Sequence, residues 1–398
     1  MTPQIVLKKG RDKPVRQRHP WLFSGAIAKV LGEPAAGDVV AVVDKNGRFL
    51  AHAYYNPHSQ IRARLLSWNA NEAIDTNFWR SRLSRAMAAR NGLQFEPQTT
   101  AYRLVNAEAD GLPGLVVDKY GDYLVMQCLT WGIDQRKREL AELLVELVQP
   151  KAIIERSDVN VRKLEGLAEE KGILWGEAPP GSVVVQENGL KFQMQLLAGH
   201  KTGFYLDQRE NRTAVTAPSL IQNKTILNVF AYTGAFAVYA AANGAGPIIN
   251  IDSSIPALEQ AEQNMLLNRF ERPEDEFLAG DAFEILRYYR DEEQQFDMII
   301  LDPPKFAHTQ RDVNRACRGY KDLNWLALRL LKPGGLLATF SCSGLVSRDL
   351  FQKVLFGAAL DAQRDVQIIR PLAQGADHPI LLSFPESAYL KGFLCRVW

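Results

Sequence analysis

Residues 336 to 345 read LLATFSCSGL, an apolar run that stops abruptly at Ser341-Cys342-Ser343-Gly344. A thiol at the end of such a run is held at a rim, where its thiolate is a nucleophile. A second polar stop closes the run FDMIILD at Asp302-Pro303-Pro304-Lys305. The prolines restrict that loop and help to hold the carboxylate, while Lys305 is suited to a phosphate or a base carbonyl. A thiol and an acid at strand ends, where those ends are neighbours, suit chemistry at C5 of a pyrimidine, which is a poor nucleophile. Thiolate addition at C6 turns the ring into an enamine-like nucleophile at C5, which can take a methyl group, and loss of the C5 proton then expels the thiol. Asp302 is suited to the N3/N4 edge of cytosine, assisting protonation at N3 as the thiolate adds.

Other short apolar runs end in the same manner. ILNV leads into Phe230-Ala231-Tyr232-Thr233-Gly234 after Asn228, PIIN ends in Asp252-Ser253, and EFLAG ends in Asp281-Ala282. Ligands of parallel sheets bind beyond the carboxyl ends of the strands. Gly234 is expected to let the backbone approach a ligand, Asp252 to accept from ribose hydroxyls, and Asp281-Ala282 to lie near an adenine. The loop lacks the G-x-G-x-x-G fingerprint of a pyrophosphate site, which disfavours a nicotinamide cofactor. S-adenosylmethionine carries no phosphate, so one glycine and an acid suffice.

These ends need elements to position them. From residue 191 onward, β-like runs alternate with helix-like stretches such as AFAVYAAANG, IPALEQAEQNMLLN and KDLNWLALRLLK, implying a parallel sheet covered on both faces. The last run, YLKGFLCRVW, follows a run around ILLSF too closely for a helical crossover, so we expect an antiparallel strand at the end of the sheet. Residues 1–74 read as a small β domain with a hairpin at Asn46-Gly47. In it, SQIRARLLSW places Arg62 and Arg64 at alternating positions on one strand face. Residues 75–190 mix helix and strand, with a basic helix stopped near Gly92 and a second hairpin signal at Asn188-Gly189.

Composition sets the outer limits. The 398 residues are 46% hydrophobic and 23% charged, with a formal net charge of +2, too mild to announce a nucleic-acid binder by itself. The first 20 residues nevertheless set Lys8, Lys9, Arg11, Lys13, Arg16 and Arg18 against Asp12 alone, a candidate phosphate-facing edge. Cys128, Cys317, Cys342 and Cys395 lack ligand or disulfide-framework spacing, so we expect reduced thiols, no metal and a cytoplasmic protein. No run approaches a membrane span.

The motifs HPWLFSGAI, RSDVNVRKLEG, GHKTGFYLDQRENR, NVFAYTGAF, DPPKF, ACRGYKDLN, TFSCSGL and YLKGFLCRVW together resemble the bacterial ribosomal RNA large subunit methyltransferase I family, essentially end to end. The resemblance implies an N-terminal PUA-like RNA-binding domain (1–74), a central α+β domain (75–190) and a Rossmann-like class I methyltransferase domain (191–398), in which the fourth and fifth strands are neighbours. With the axes of those strands about 5 Å apart, Asp302 and Cys342 would then emerge side by side on the same rim. It implies 5-methylcytosine formation in 23S rRNA, S-adenosylmethionine as cofactor, and Cys342 as nucleophile. By the same similarity the segment from Gly199 to Arg209 closes over the cofactor. Phe204 or Tyr205 would give apolar contact, Asp207, Gln208 and Arg209 polar contact, and Arg209 would meet the methionine carboxylate.

Many RNA 5-methylcytosine enzymes carry a second cysteine in the motif after the fourth strand. Here that motif has none, and Cys317 is the spare thiol considered for the pocket. The expected partner is 23S rRNA, naked or in a large-subunit precursor, gripped by Lys8, Lys9, Arg11, Arg16, Arg18, Arg62 and Arg64, with no membrane and with a homodimer left open. A methyltransferase of exocyclic amines or ring nitrogens is the competing activity. A noncatalytic RNA-binding assembly factor on the same fold is the competing class.

Overall fold

The computed structural model describes residues 3–91, 98–197 and 203–398. The chain divides into two compact units whose borders interleave. The first comprises Met1–Asn188, Met194–Leu206 and Ala376–Ser387; the second comprises Gly189–Gln193, Asp207–Gly375 and Ala388–Trp398.

The first unit opens with a six-stranded sheet in the order Trp21–Phe23, Ile61–Ser67, Phe49–Tyr55, Val39–Val43, Gln4–Leu7, Ile27–Leu31. The Asn46-Gly47 signal lies in the turn of an antiparallel hairpin, with Val42 opposite Ala51. Asp44 accepts from the amides of Asn46 and Arg48 to close it. Ile5, Val40, Val42, Ala53, Ala63 and Leu65 form its core. A five-stranded sheet follows, ordered Glu170–Gly176, Ala152–Ser157, Tyr123–Cys128, Leu115–Tyr120, Ala101–Asn106. Its core draws Phe78, Trp79 and Leu83 from the helix Thr76–Asn91, and Leu140 and Leu144 from the helix Lys137–Val148. The expected stop of the first of these helices, Gly92, lies outside the described residues.

Arg64 corrects an expectation. Alternation with Arg62 places its side chain on a solvated strand face, but Arg64 is only 6% exposed. Its guanidinium donates to both carboxylate oxygens of Glu165, at 2.9 and 3.0 Å. Asn56 and Ser59 complete the shell around Glu165. A buried acid needs partners of this kind, so Arg64 serves the interior of the unit. Arg62 is half-buried and donates to the carbonyl of Pro57.

The second unit is built on seven strands, numbered here β1 (Ile226–Val229), β2 (Ile248–Asp252), β3 (Glu276–Ala279), β4 (Phe296–Leu301), β5 (Leu331–Ser341), β6 (Val366–Ala373) and β7 (Lys391–Val397). Their order across the sheet is β3-β2-β1-β4-β5-β7-β6. The first five are parallel, and β7 runs antiparallel to both neighbours. Helices Ala235–Ala242, Ile255–Leu267, Ala282–Asp291, Val313–Leu330 and Arg348–Ala362 supply the crossovers. Ser254, Asp281 and Ser347 start three of them by accepting from amides of the first turn.

The antiparallel direction of β7 matches the sequence reading, but its place does not. It lies between β5 and β6, not at the end of the sheet, and ILLSF forms only an isolated bridge from Leu381 to Phe384. The edge strand is VQIIRPLA. Five consecutive residues of it are exposed and it carries Pro371, so no buried alternation advertises it. Among the described residues no helix is long and apolar enough to cross a membrane.

Candidate active site

The carboxyl ends of the five parallel strands β1 to β5 carry the strand-end residues that the sequence singled out. After β1 the backbone takes left-handed conformations at Phe230 (φ 62°), Tyr232 (φ 48°) and Gly234 (φ 74°). Two non-glycine residues so held are a local strain that the surroundings must impose. Asp252 holds the second of them, Tyr232, from the end of β2. One carboxylate oxygen accepts from the Tyr232 amide at 2.8 Å, and the other from the Ser254 amide at 2.9 Å. Each oxygen retains acceptor capacity, so Asp252 can fasten the loop and still receive a hydroxyl. Ser253 beside it is exposed.

Gly234 has a reason other than the ligand approach expected of it. A Cβ there would stand 2.7 Å from the Cβ of Ala261, so the glycine lets the loop sit against the helix Ile255–Leu267. Asn228 is buried in β1 and donates to Asn250 at 2.9 Å, bracing the sheet under the loop. Asp281 is exposed and accepts from the amides of Phe283 and Glu284, capping the helix that Ala282 opens.

Asp302 follows β4, and Gln208 donates to its carboxylate at 2.9 Å. Gln208 in turn accepts from Asn211 at 2.6 Å, and Asn211 also donates to the carbonyl of Ala373. This chain of amides orients the carboxylate, and it joins two residues predicted separately. Asp207 accepts from the Tyr389 hydroxyl at 2.6 Å, and the buried Arg209 bonds Glu210 at 3.2 Å. Phe204 and Tyr205 belong to the first unit, where Phe204 is 5% exposed. Residues 199–202 of the same motif lie outside the described residues.

Cys342 follows β5, which pairs in parallel with β4. Its Sγ lies 4.0 Å from the carbonyl oxygen of Pro303, so thiol and Asp302 emerge at adjacent strand ends. The flanking hydroxyls point elsewhere, as alternation along an extended chain requires. Ser343 is buried, accepts from the Ala307 amide at 3.2 Å and lies 3.0 Å from the Tyr320 hydroxyl. Ser341 accepts from the Ser343 amide. The serines therefore anchor the turn, and the cysteine between them is left facing the rim. Lys305 is exposed. Cys317 packs against the core of this unit, where burial raises its pKa; burial likewise pushes Cys395 up to about 12 and raises Cys128 further.

Sequence reasoning missed Lys391, the first residue of β7. It is 4% exposed and donates to the carbonyls of Ser343 at 2.7 Å and Val346 at 2.8 Å. The signal was present as a lysine heading a mostly apolar strand, a pattern shared with any solvated strand end.

In the first unit, Lys8, Lys9, Arg11, Arg16 and Arg18 are all exposed. Arg16 pairs with Asp12, and Arg18 lies over the ring of Trp68. Asp134, Glu155 and Glu170 cluster closely enough to hold a cation, and Lys137 bonds all three.

The second unit's donor set fits S-adenosylmethionine. An acceptor with capacity to spare stands at the end of β2, and the loop after β1 offers aromatic residues with no phosphate cradle.

Comparison with known proteins agrees with this. Residues 5–68 match a PUA-like domain family, and residues 171–356 match an S-adenosylmethionine-dependent methyltransferase family. A relative in Aliivibrio fischeri named ribosomal RNA large subunit methyltransferase I is 50% identical over 397 residues, spanning 100% of both chains. One of the same name in Vibrio cholerae is 49% identical over 399 residues, again covering 100% of both. Among solved structures, a methyltransferase complexed with SAH superposes with a TM-score of 0.86 at 22% identity, over 99% of each chain.

Proposed function

Because this chain belongs to the ribosomal RNA large subunit methyltransferase I family, and is thus an S-adenosylmethionine-dependent ribosomal RNA methyltransferase, we propose that it methylates C5 of a cytosine in 23S rRNA through a covalent adduct between Cys342 and C6. What supports this reading above all is the thiol beside the Pro303 carbonyl, one residue from a carboxylate that Gln208 orients.

Asp252, with the loop from Phe230 to Gly234, would hold the adenosine part of the cofactor, and Asp207, Gln208 and Arg209 are the polar candidates for its amino-acid end. When bound, S-adenosylmethionine supplies an electrophilic methyl group. The protein's own residues do the rest. The Cys342 thiolate adds to C6, and the displaced electron pair makes C5 nucleophilic. Asp302 bonds the N3/N4 edge and fixes the ring. Once C5 is methylated and a base has taken its proton, the C6–S bond breaks and the thiolate is restored.

Such attack needs both faces of the base, so the target nucleotide must be unpaired or flipped. Lys8, Lys9, Arg11, Arg16 and Arg18 would hold flanking phosphates, setting position without reading base identity.

The test is incubation with unmodified 23S rRNA and methyl-labelled S-adenosylmethionine, followed by nucleoside digestion and mass spectrometry. Label in 5-methylcytidine, lost in Cys342→Ala, is the expected result. Label in another nucleoside, or label that survives Cys342→Ala, would overturn the C5 mechanism and favour amine or ring-nitrogen transfer.

A further inference from the structure

Lys391 is enclosed by the sheet that ends at the thiol. It pairs with Ser341 on β5 and with Ala373 on β6. Its ammonium donates to two carbonyls, of Ser343 and Val346, in the turn that begins at Cys342. A neutral donor would satisfy one of those carbonyls without burying a charge, and buried charges are disfavoured unless something compensates them. Among the described residues the anionic influence on Lys391 is that of Cys342, which acts against the larger effect of burial. The other charges that act on it, Arg348 at the start of the following helix and Lys305 after β4, are cations that oppose it. Cys342 also acts on Tyr320, the tyrosine that lies against Ser343 from the helix Val313–Leu330. The position thus has two consequences, one geometric and one electrostatic, and both converge on the thiol.

We propose that Lys391 is a positioning residue for Cys342, whose ammonium fixes the Ser343–Val346 turn and supplies the buried cation that holds the thiol in its thiolate form. The inference rests on Cys342 being the nucleophile. Burial brings the Lys391 pKa down to about 8, so the cation is present at neutral pH and is withdrawn above it.

The pH dependence of iodoacetamide alkylation at Cys342, read by peptide mass on the full chain without RNA or cofactor, tests this. Cys342→Ser identifies the signal. In the wild-type protein the midpoint should lie below that of an ordinary thiol, about 8.5. Lys391→Gln, which keeps a donor and loses the charge, should raise the midpoint by about one pH unit and slow alkylation at pH 7 about tenfold; Lys391→Arg, which keeps the charge at every pH used, should hold the midpoint below the ordinary value. A wild-type midpoint at or above the ordinary value overturns the proposal even if the variants fail to fold. So does a folded Lys391→Gln protein with the wild-type profile. No methyl transfer is read, so failure here is separate from failure of the C5 reading, which the nucleoside product decides.

Discussion

Ser341 and Ser343 resemble participants in the chemistry when read along the chain, yet both face inward and only the residue between them reaches the rim. Cys342 and Asp302 were legible because each ends an apolar run, in a series of runs that all stop at a polar residue. Gln208 was named from a motif, but its bond to Asp302 joins residues 94 apart in the chain, which no local pattern could give. That bond can be tested. Asp302→Asn should lower kcat by about 10²- to 10⁴-fold. Gln208→Ala removes one hydrogen bond to a charged group and should lower it by about 10- to 100-fold; steady-state kinetics on 23S rRNA distinguish the two. Lys391 carries a stability signature as well. Its pKa is about 8 in the fold against a reference of 10.5. Between those values the unfolded chain binds more protons, so stability attributable to this residue rises with pH across that window, and the burden of the buried charge is greatest below pH 8. Thermal unfolding at pH 8 and pH 10 should therefore show a smaller alkaline gain in Lys391→Gln than in wild type.

At the scale of elements, the five parallel strands were legible because strands covered on both faces read as continuous apolar runs. The edge strand β6 was not, since exposure erased its pattern and left ILLSF, seven residues after its end, as the more strand-like sequence. The loop after β1 shows how tightly such elements are set. Gly234 combines a φ of 74° with a Cβ position 2.7 Å from Ala261, so Gly234→Ala should destabilise the protein by about 1–3 kcal/mol in denaturant unfolding. Adding Ala261→Gly should recover the part due to the contact and leave the part due to φ, a non-additivity that a double-mutant cycle measures.

At the scale of the molecule, the basic residues of the first unit divide into two physical kinds. Arg64 belongs to the interior, and Arg64→Met should cost about 3–5 kcal/mol by leaving Glu165 buried without its partner, seen as a fall in the unfolding midpoint. Lys9 and Arg11 are exposed. Lys9→Glu with Arg11→Glu should leave that midpoint nearly unchanged, weaken RNA binding about equally across sequences and flatten its salt dependence. Sequence alone could not sort them, because a basic strand reads the same whether water or a carboxylate faces it.

The interleaved borders of the two units bear on the history of the chain. The first unit takes back Ala376–Ser387 from between β6 and β7, and uses it: Asp377 accepts from the Arg103 amide at 2.8 Å and its carbonyl from Arg90 at 2.9 Å, while Phe384 packs edge-on to Trp21. A gene crossover near residue 190 would deliver a front half in which Arg90 has lost one of its acceptors and the Arg103 amide its Asp377 acceptor, and a back half carrying a segment shaped for a unit it no longer has. Neither half can travel as a cassette. The two units must therefore be inherited, and must diverge, together.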